Sequence, residues 1–462
     1  MSMKGRREVA SAVTPRRGSL PCRIFCMAIL AAARLFAGDY SVRQLELNHP
    51  DGFYRSGEEV IVSGQLFKSG VPAAGETLCA VVKWEGKEVD RKEIPCNGEP
   101  FRIAYRSETP GWVYFAFMVK GPDGQIVEEP GAKLPQGKKT LVAEIGAIYD
   151  KEKIRTAVEM PNDFQQFWKD NRAKLDQVPF NARLEKLQAK KEGVELYAVT
   201  VDAGVDRPVT AYLAYPAGAG KGTLAAYVSY LSWSSADANR GFAENGARRG
   251  LLTLAASWHG LPVNQPGVFY GQEIPKVFNA RRNIKDRDKW EFRGVYMRVL
   301  RALDFIKSRP EWNGKTLVVQ GGSLGGAQTA VAAALDPQVT TAIISVPCFC
   351  EFSADLAGRK RSIPVSGFQM TPEVRNVLNY YDVVNFATLI RCEVFFCTGY
   401  SDELCPPSNV IAAYNNLPPE TRKSFSSNPA TGHYGTTVNV KGNQWLKTFF
   451  QNVKVNAYTE KY

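Results

Sequence analysis

Residues 316–335 read TLVVQGGSLGGAQTAVAAAL. An apolar, strand-like run enters Gly321-Gly322-Ser323-Leu324-Gly325, and an Ala-rich helical run leaves it. The pattern is G-x-S-x-G between a strand and a helix, where a serine oxygen stands exposed on a sharp turn above a sheet. Gly321 and Gly325 lack a Cβ, so strand and helix can approach closely around the serine. The helix N-terminus directs N–H groups and the positive end of its dipole to the place where an oxyanion would form. Ser323 is thus the candidate nucleophile, and the Leu324 N–H one candidate oxyanion donor.

A serine nucleophile needs a base, and the chain has only 3 histidines: His49, His259 and His433. His433 lies in Ala430-Thr431-Gly432-His433-Tyr434-Gly435, just before the helical run Asn443–Asn452. His259 follows the strand-like run Leu251–Ala256, earlier in the chain, and His49 sits among turn residues as a surface or loop histidine. The acid that orients the imidazole is expected after the strand Val394–Thr398, in Gly399-Tyr400-Ser401-Asp402-Glu403. Asp402 comes first in that loop and is preferred; Glu403 is the adjacent alternative. The chain order Ser323, Asp402, His433 is that of α/β-hydrolases.

The surroundings agree with that fold. From about residue 148, strand-like runs alternate with helix-like runs, which predicts an α/β architecture: a mostly parallel sheet covered by helices on both faces. The strands are Leu196–Val201, Thr210–Tyr215, Leu224–Tyr230, Leu251–Ala256, Thr316–Gln320, Ala342–Val346 and Val394–Thr398. The helices include Arg240–Arg249, Glu291–Ser308, Gly325–Leu335 and Val410–Asn416. A further helix within Pro161–Gln177 carries Phe164, Phe167, Trp168 and Leu175 at helical spacing, with Asp163 as its cap. Residues 39–147 differ: short alternating runs (Glu59–Leu66, Leu78–Trp84, Trp112–Lys120) are separated by turn residues, the pattern of an Ig-like β-sandwich. The reading is therefore residues 1–38 as a leader, 39–147 as the sandwich and 148–462 as the catalytic domain.

Residues 1–38 resemble a secretory signal: a basic stretch to Arg23, an apolar run Ile24–Ala37 interrupted by Arg34, and small residues at its end. The run is short for a membrane span, so the chain is expected to be exported, to the periplasm or beyond, and free of the membrane once the signal is removed. The net charge is +12, of which residues 1–38 supply half. The remainder shows no Lys/Arg stripe for phosphates, which argues against nucleic acid as a partner. There are 9 cysteines. Cys79 and Cys96 flank CAVVKWEGKEVDRKEIPC, and a fold near Gly86-Lys87 would set them opposite each other as a cross-strand disulfide. No pair has metal-binding spacing, and Cys348, Cys350, Cys392 and Cys397 read as small buried hydrophobes. The run Arg359-Lys360-Arg361 reads as a solvated loop.

Residues 293–352, Tyr400–Leu417 (YSDELCPPSNVIAAYNNL) and Gly432-His433 resemble the acetyl xylan esterase and cephalosporin C deacetylase family of α/β-hydrolases. The helix with Asp163-Phe164 and Phe167-Trp168 fits too, so the resemblance spans about residues 150–452. It implies Ser323 as nucleophile, Asp402 as acid and His433 as base. It implies an acetylated carbohydrate as substrate, no metal or organic cofactor, and assembly of some members into homo-oligomers. The family's HGY motif is here Leu231-Ser232-Trp233, placing Trp233 where a backbone N–H completes the oxyanion hole. Its RGQG stretch becomes His259-Gly260-Leu261-Pro262. Tyr270, Trp258 and His259 are candidate substrate-binding residues, and Trp233 a further aromatic face. The sandwich lies outside the family's pattern and resembles the accessory domains of secreted carbohydrate-active enzymes.

Two other readings stand beside this one. Another serine hydrolase on this scaffold is the first: a larger-acyl esterase, or a prolyl-oligopeptidase-type peptidase, although the β-region is too short for a propeller. A non-catalytic carbohydrate-binding protein is the second, and it would leave Ser323 unreactive.

Overall fold

The structure, a computed structural model, describes residues 39–121, 123–128, 140–234 and 236–434. The expected signal and the helix Asn443–Asn452 lie outside these residues.

The first part of the chain is a two-sheet sandwich. In the strand Glu59–Lys68, Val60, Val62 and Leu66 are buried while their neighbours are not, the period-two pattern of a strand with one covered face. It pairs antiparallel with Tyr40–Leu47, Val71–Pro72 and Phe101–Arg106. The second sheet runs Phe53–Tyr54, Leu141–Tyr149, Gly111–Lys120, Ala74–Trp84, Lys87–Asn97. Its last hairpin turns at Glu85-Gly86, both at positive φ (48° and 81°), as a two-residue turn between twisted strands requires. That turn pairs Trp84 with Lys87, and a bulge near Val82 then pairs Cys79 with Glu93. The expected Cys79–Cys96 disulfide is accordingly absent. Both thiols are free, and they pack into different cores on opposite faces of the sheet.

The strand Gly111–Lys120 has no solvent face. Val113, Phe115, Phe117 and Val119 fill the sandwich interior, whereas Trp112, Tyr114 and Ala116 join the main core of the following α/β layer. The sandwich and the α/β layer thus share one continuous apolar interior, with Cys79, Val81 and Ile148 contributing from the sandwich side.

The α/β layer is a nine-stranded sheet in the order Arg183–Leu187, Val194–Val201, Val209–Pro216, Leu252–Ala256, Leu224–Tyr230, Trp312–Gly322, Thr341–Ser345, Glu393–Gly399, Lys423–Asn428. The first four pair antiparallel in succession; from Leu252–Ala256 onward all pairs are parallel. Central strands are buried on both faces, so their sequences run mostly apolar. Val319, Ile344 and Phe396 enter the main core, and the alternate residues Val318, Ile343 and Phe395 pack with the helix Arg240–Arg248 on the other side. The helix Glu291–Ser308 is buried along most of its length, and its Arg298 donates to the Trp258 carbonyl at 2.9 Å through one guanidinium nitrogen. Asp163 stands before the helix Phe164–Asp176 but does not cap it with its side chain. Its carboxylate is taken instead by the Tyr380 hydroxyl and by Arg287, the latter at 2.7 Å.

Candidate active site

The parallel strands deliver their C-terminal ends, with the loops that follow, to one edge of the sheet. That edge is where an open α/β sheet binds ligands.

Ser323 joins the strand Trp312–Gly322 to the helix Leu324–Leu335 at φ 57°, ψ −120°. A non-glycine residue at such φ is held in a strained conformation by its surroundings. The glycines around it are required. A Cβ on Gly321 would lie 2.4 Å from Gly325 backbone, and one on Gly325 would lie 2.3 Å from the Tyr230 carbonyl oxygen. Backbone bonds fix the elbow: the Ser323 N–H donates to Ser345 O at 3.0 Å, and the Cys348 N–H donates to Ser323 O at 3.1 Å. Leu324 is the first residue of the helix, and first-turn N–H groups have no intrahelical acceptor.

Trp233 lies in the loop after Leu224–Tyr230 and is 39% exposed. The loop is tied to the helix Leu324–Leu335, because Gln328 Nε2 donates to Leu231 O at 3.0 Å. The Trp233 ring stacks on Trp258 at 5.5 Å between centroids and packs against Phe278 and Phe292. Phe292 meets Phe349 edge to face at 4.5 Å, so an apolar wall runs from Trp233 to the segment beside Ser323.

Asp402 is fully buried. One carboxylate oxygen accepts from the N–H groups of Leu404 and Cys405, each at 2.9 Å. The other lies 2.8 Å from His433 Nδ1. Glu403, the alternative acid, pairs with two lysines, Lys83 at 2.8 Å and Lys360 at 3.3 Å. Burial opposes a positive charge on His433, but Cys405 and the Asp402 carboxylate outweigh it and push the imidazole up. Burial pushes the Cys405 thiol itself up to about 12. Near neutral pH it is a thiol, so the carboxylate is the charged neighbour that acts. Asp402, Cys405 and His433 are also the one group of possible metal ligands among the described residues, with ligand atoms within 4.8 Å of one another. A cation there would compete with the Asp402–His433 hydrogen bond.

The three candidate substrate residues are buried. His259 is held by backbone: Nδ1 accepts from Leu261 N–H and Nε2 contacts Ala236 O, both at 3.1 Å. Burial lowers it to about 4, so it is a neutral structural imidazole. The Tyr270 hydroxyl donates to Pro262 O at 2.8 Å. Trp258 is covered by Trp233 and Phe278, and its indole N–H has no hydrogen-bond partner among the described residues. The expected solvated run at 359–361 is mostly built in: Arg359 pairs with the buried Glu351, and Lys360 with Glu403. Tyr434, 55% exposed, meets the His433 ring edge to face at 5.2 Å between centroids, a contact that sequence reasoning misses although the two residues are adjacent. His49 is half-buried and stacks on Tyr54 at 4.5 Å.

A family model described as acetyl xylan esterase (AXE1) matches residues 148–449. Acetyl esterase Axe7A of Xylanibacter ruminicola is 29% identical over 413 residues, covering 87% of this chain and 89% of that protein. Two solved structures share the fold at 22% identity. An acetyl xylan esterase from a Paenibacillus species has a TM-score of 0.56 and covers 70% of this chain and 99% of its own. Acetyl xylan esterase 1 from a Thermoanaerobacterium species has a TM-score of 0.54, over 66% and 96%.

Proposed function

The chain belongs to the acetyl xylan esterase family and is a carboxylic ester hydrolase, and from that premise we propose that it removes O-acetyl groups from a carbohydrate through Ser323, His433 and Asp402. The observation that carries the reading is the buried Asp402–His433 pair at 2.8 Å, on the same sheet as a serine held at φ 57° on a strand-to-helix elbow. The name of the Xylanibacter relative, an acetyl esterase, supports acetyl as the acyl group.

In this mechanism His433 Nε2 takes the proton of Ser323 as the serine oxygen attacks the ester carbonyl. Asp402 accepts the Nδ1–H hydrogen bond, which selects the working tautomer and stabilises the imidazolium. The carbonyl electron pair moves to oxygen, and the N–H groups of Leu324 and Trp233 bind the resulting oxyanion. The carbon–oxygen bond to the sugar then breaks, and the sugar leaves as an alcohol with the proton from His433. Water repeats the sequence on the acetyl-serine and releases acetate. The domain layout of 39–147 and 148–462, and export directed by residues 1–38, belong to the same proposal. Among the described residues no helix is long and apolar enough to cross a membrane.

The test is acetate release from acetylated xylan and small acetylated sugars by the chain from Gly38 onward, beside Ser323→Ala. Release by the parent and its loss in the variant are expected. Labelling of Ser323 by a fluorophosphonate without acetate release would keep the nucleophile and overturn the substrate.

A further inference from the structure

The sandwich touches both loops that carry the proposed acid and base. On the acid side, Trp112 Nε1 donates to the Tyr400 carbonyl at 2.7 Å, two residues before Asp402. Both side chains are fully buried. On the base side, the Gly146 N–H donates to Pro429 O at 2.9 Å, four residues before His433. Gly146 leaves no room between the two parts, since a Cβ there would lie 2.1 Å from the Tyr400 carbonyl oxygen. A further clasp comes from Glu85 at the hairpin turn. One of its oxygens accepts from Ser408 Oγ at 2.7 Å, in the helix after the acid loop, and the other from the Trp112 N–H at 2.8 Å.

The two loops are also laced to each other. Tyr400 N–H donates to Asn428 O, Ser401 N–H to Thr431 O and Ser401 Oγ to Pro429 O, each at 3.0 Å. A displacement of the Tyr400 carbonyl is therefore passed to both ends of the Asp402–His433 hydrogen bond.

We propose that the sandwich is a positioning part of the active site rather than an appendage for holding polymer, with Trp112 and Gly146 as positioning residues that set the Asp402–His433 spacing. The proposal rests on the reading of Asp402 and His433 as acid and base. Changing Trp112 to Phe deletes one donor to the Tyr400 carbonyl, and changing Gly146 to Ala pushes against the same carbonyl, so two opposite perturbations act on one atom. Misplacement of a catalytic group by about 1 Å can cost about 10²-fold in rate.

The experiment compares Trp112→Phe, Gly146→Ala and a control, Val113→Ala, in the full chain. Val113 is on the same strand, but its side chain fills the sandwich interior. Three readouts are taken: melting temperature, kcat and KM on 4-nitrophenyl acetate, and the His433 titration by NMR. We expect W112F and G146A to lower kcat about 10- to 100-fold with KM within about twofold, and to move the His433 titration to lower pH. V113A should lower the melting temperature and leave both in place. The proposal is overturned if W112F folds with kcat and the His433 titration unchanged, or if V113A disturbs them as much as W112F does. Should G146A not fold, W112F decides alone. If the parent cleaves no acetate ester, the His433 titration still decides the matter, and a wrong substrate is not mistaken for a wrong positioning role.

Discussion

The Asp402 carboxylate receives two backbone N–H groups and one imidazole. Its hydrogen bond to His433 raises the imidazole, and the sign of the pH effects follows. A raised folded value means that the charged pair contributes stability below the unfolded value of about 6.5 and loses it as pH rises through the folded value. The proposed mechanism needs the neutral imidazole, so kcat/KM should climb with pH along an acidic limb centred above about 6.5. Asp402→Asn should move that limb down and cost about 10⁴ in kcat; a pH–rate profile of both proteins checks it. Glu403→Gln, by contrast, should leave the limb in place, because Glu403 answers to Lys83 and Lys360. The residue types and their order were legible in the sequence because chemistry restricts the choice: three histidines, one serine on a glycine-flanked turn, one loop with an acid after a strand. The pairing of Glu403 with Lys83 was not, since 320 residues separate them.

In the loop after Leu224–Tyr230, the side chain and the backbone of Trp233 have different work in the proposed reaction. Its ring adds to an apolar wall, while its N–H is the proposed oxyanion donor. Trp233→Ala should therefore hold kcat within a few-fold and raise KM on an acetylated sugar. Trp233→Pro, which deletes the N–H, should cost about 10²–10³ in kcat; steady-state kinetics separates the two. Elements with strong periodicity were legible to the residue: Glu291–Ser308 and Leu224–Tyr230 have the expected bounds. Those missed had weak signals. Arg183–Leu187 is an edge strand exposed along most of its length, Lys423–Asn428 has no apolar alternation, and Gly267–Val277 carries Pro275 inside a helix. The hairpin was legible but its register was not. The turn falls at Glu85-Gly86, and although a bulge shifts the pairing one residue toward Cys96, Cys79 still faces Glu93.

At the scale of the molecule, the sequence divides near residue 148 by texture, and the family model begins there too. The packing does not divide there. Trp112, Tyr114, Ala116, Cys79 and Val81 of the sandwich lie in the same core as the helices of the α/β layer. Residues 150–462 expressed alone would expose the other half of that core, and a surface of that kind drives aggregation. The fragment should collect in the insoluble fraction; a soluble fragment with a cooperative melt would contradict the shared core. This contact could not be read from sequence, because a strand buried on both faces looks the same whatever covers its second face.

The strand Gly111–Lys120 is inherited by two interiors at once. Recombination between genes succeeds where a chain can be cut at a seam with few contacts across it, and this strand removes such a seam from the middle of the molecule. A lineage that gained the sandwich by fusion could not afterwards trade it for another module without rebuilding the loops of Asp402 and His433. The two halves should therefore descend together, and their trees, drawn separately, should have the same branches.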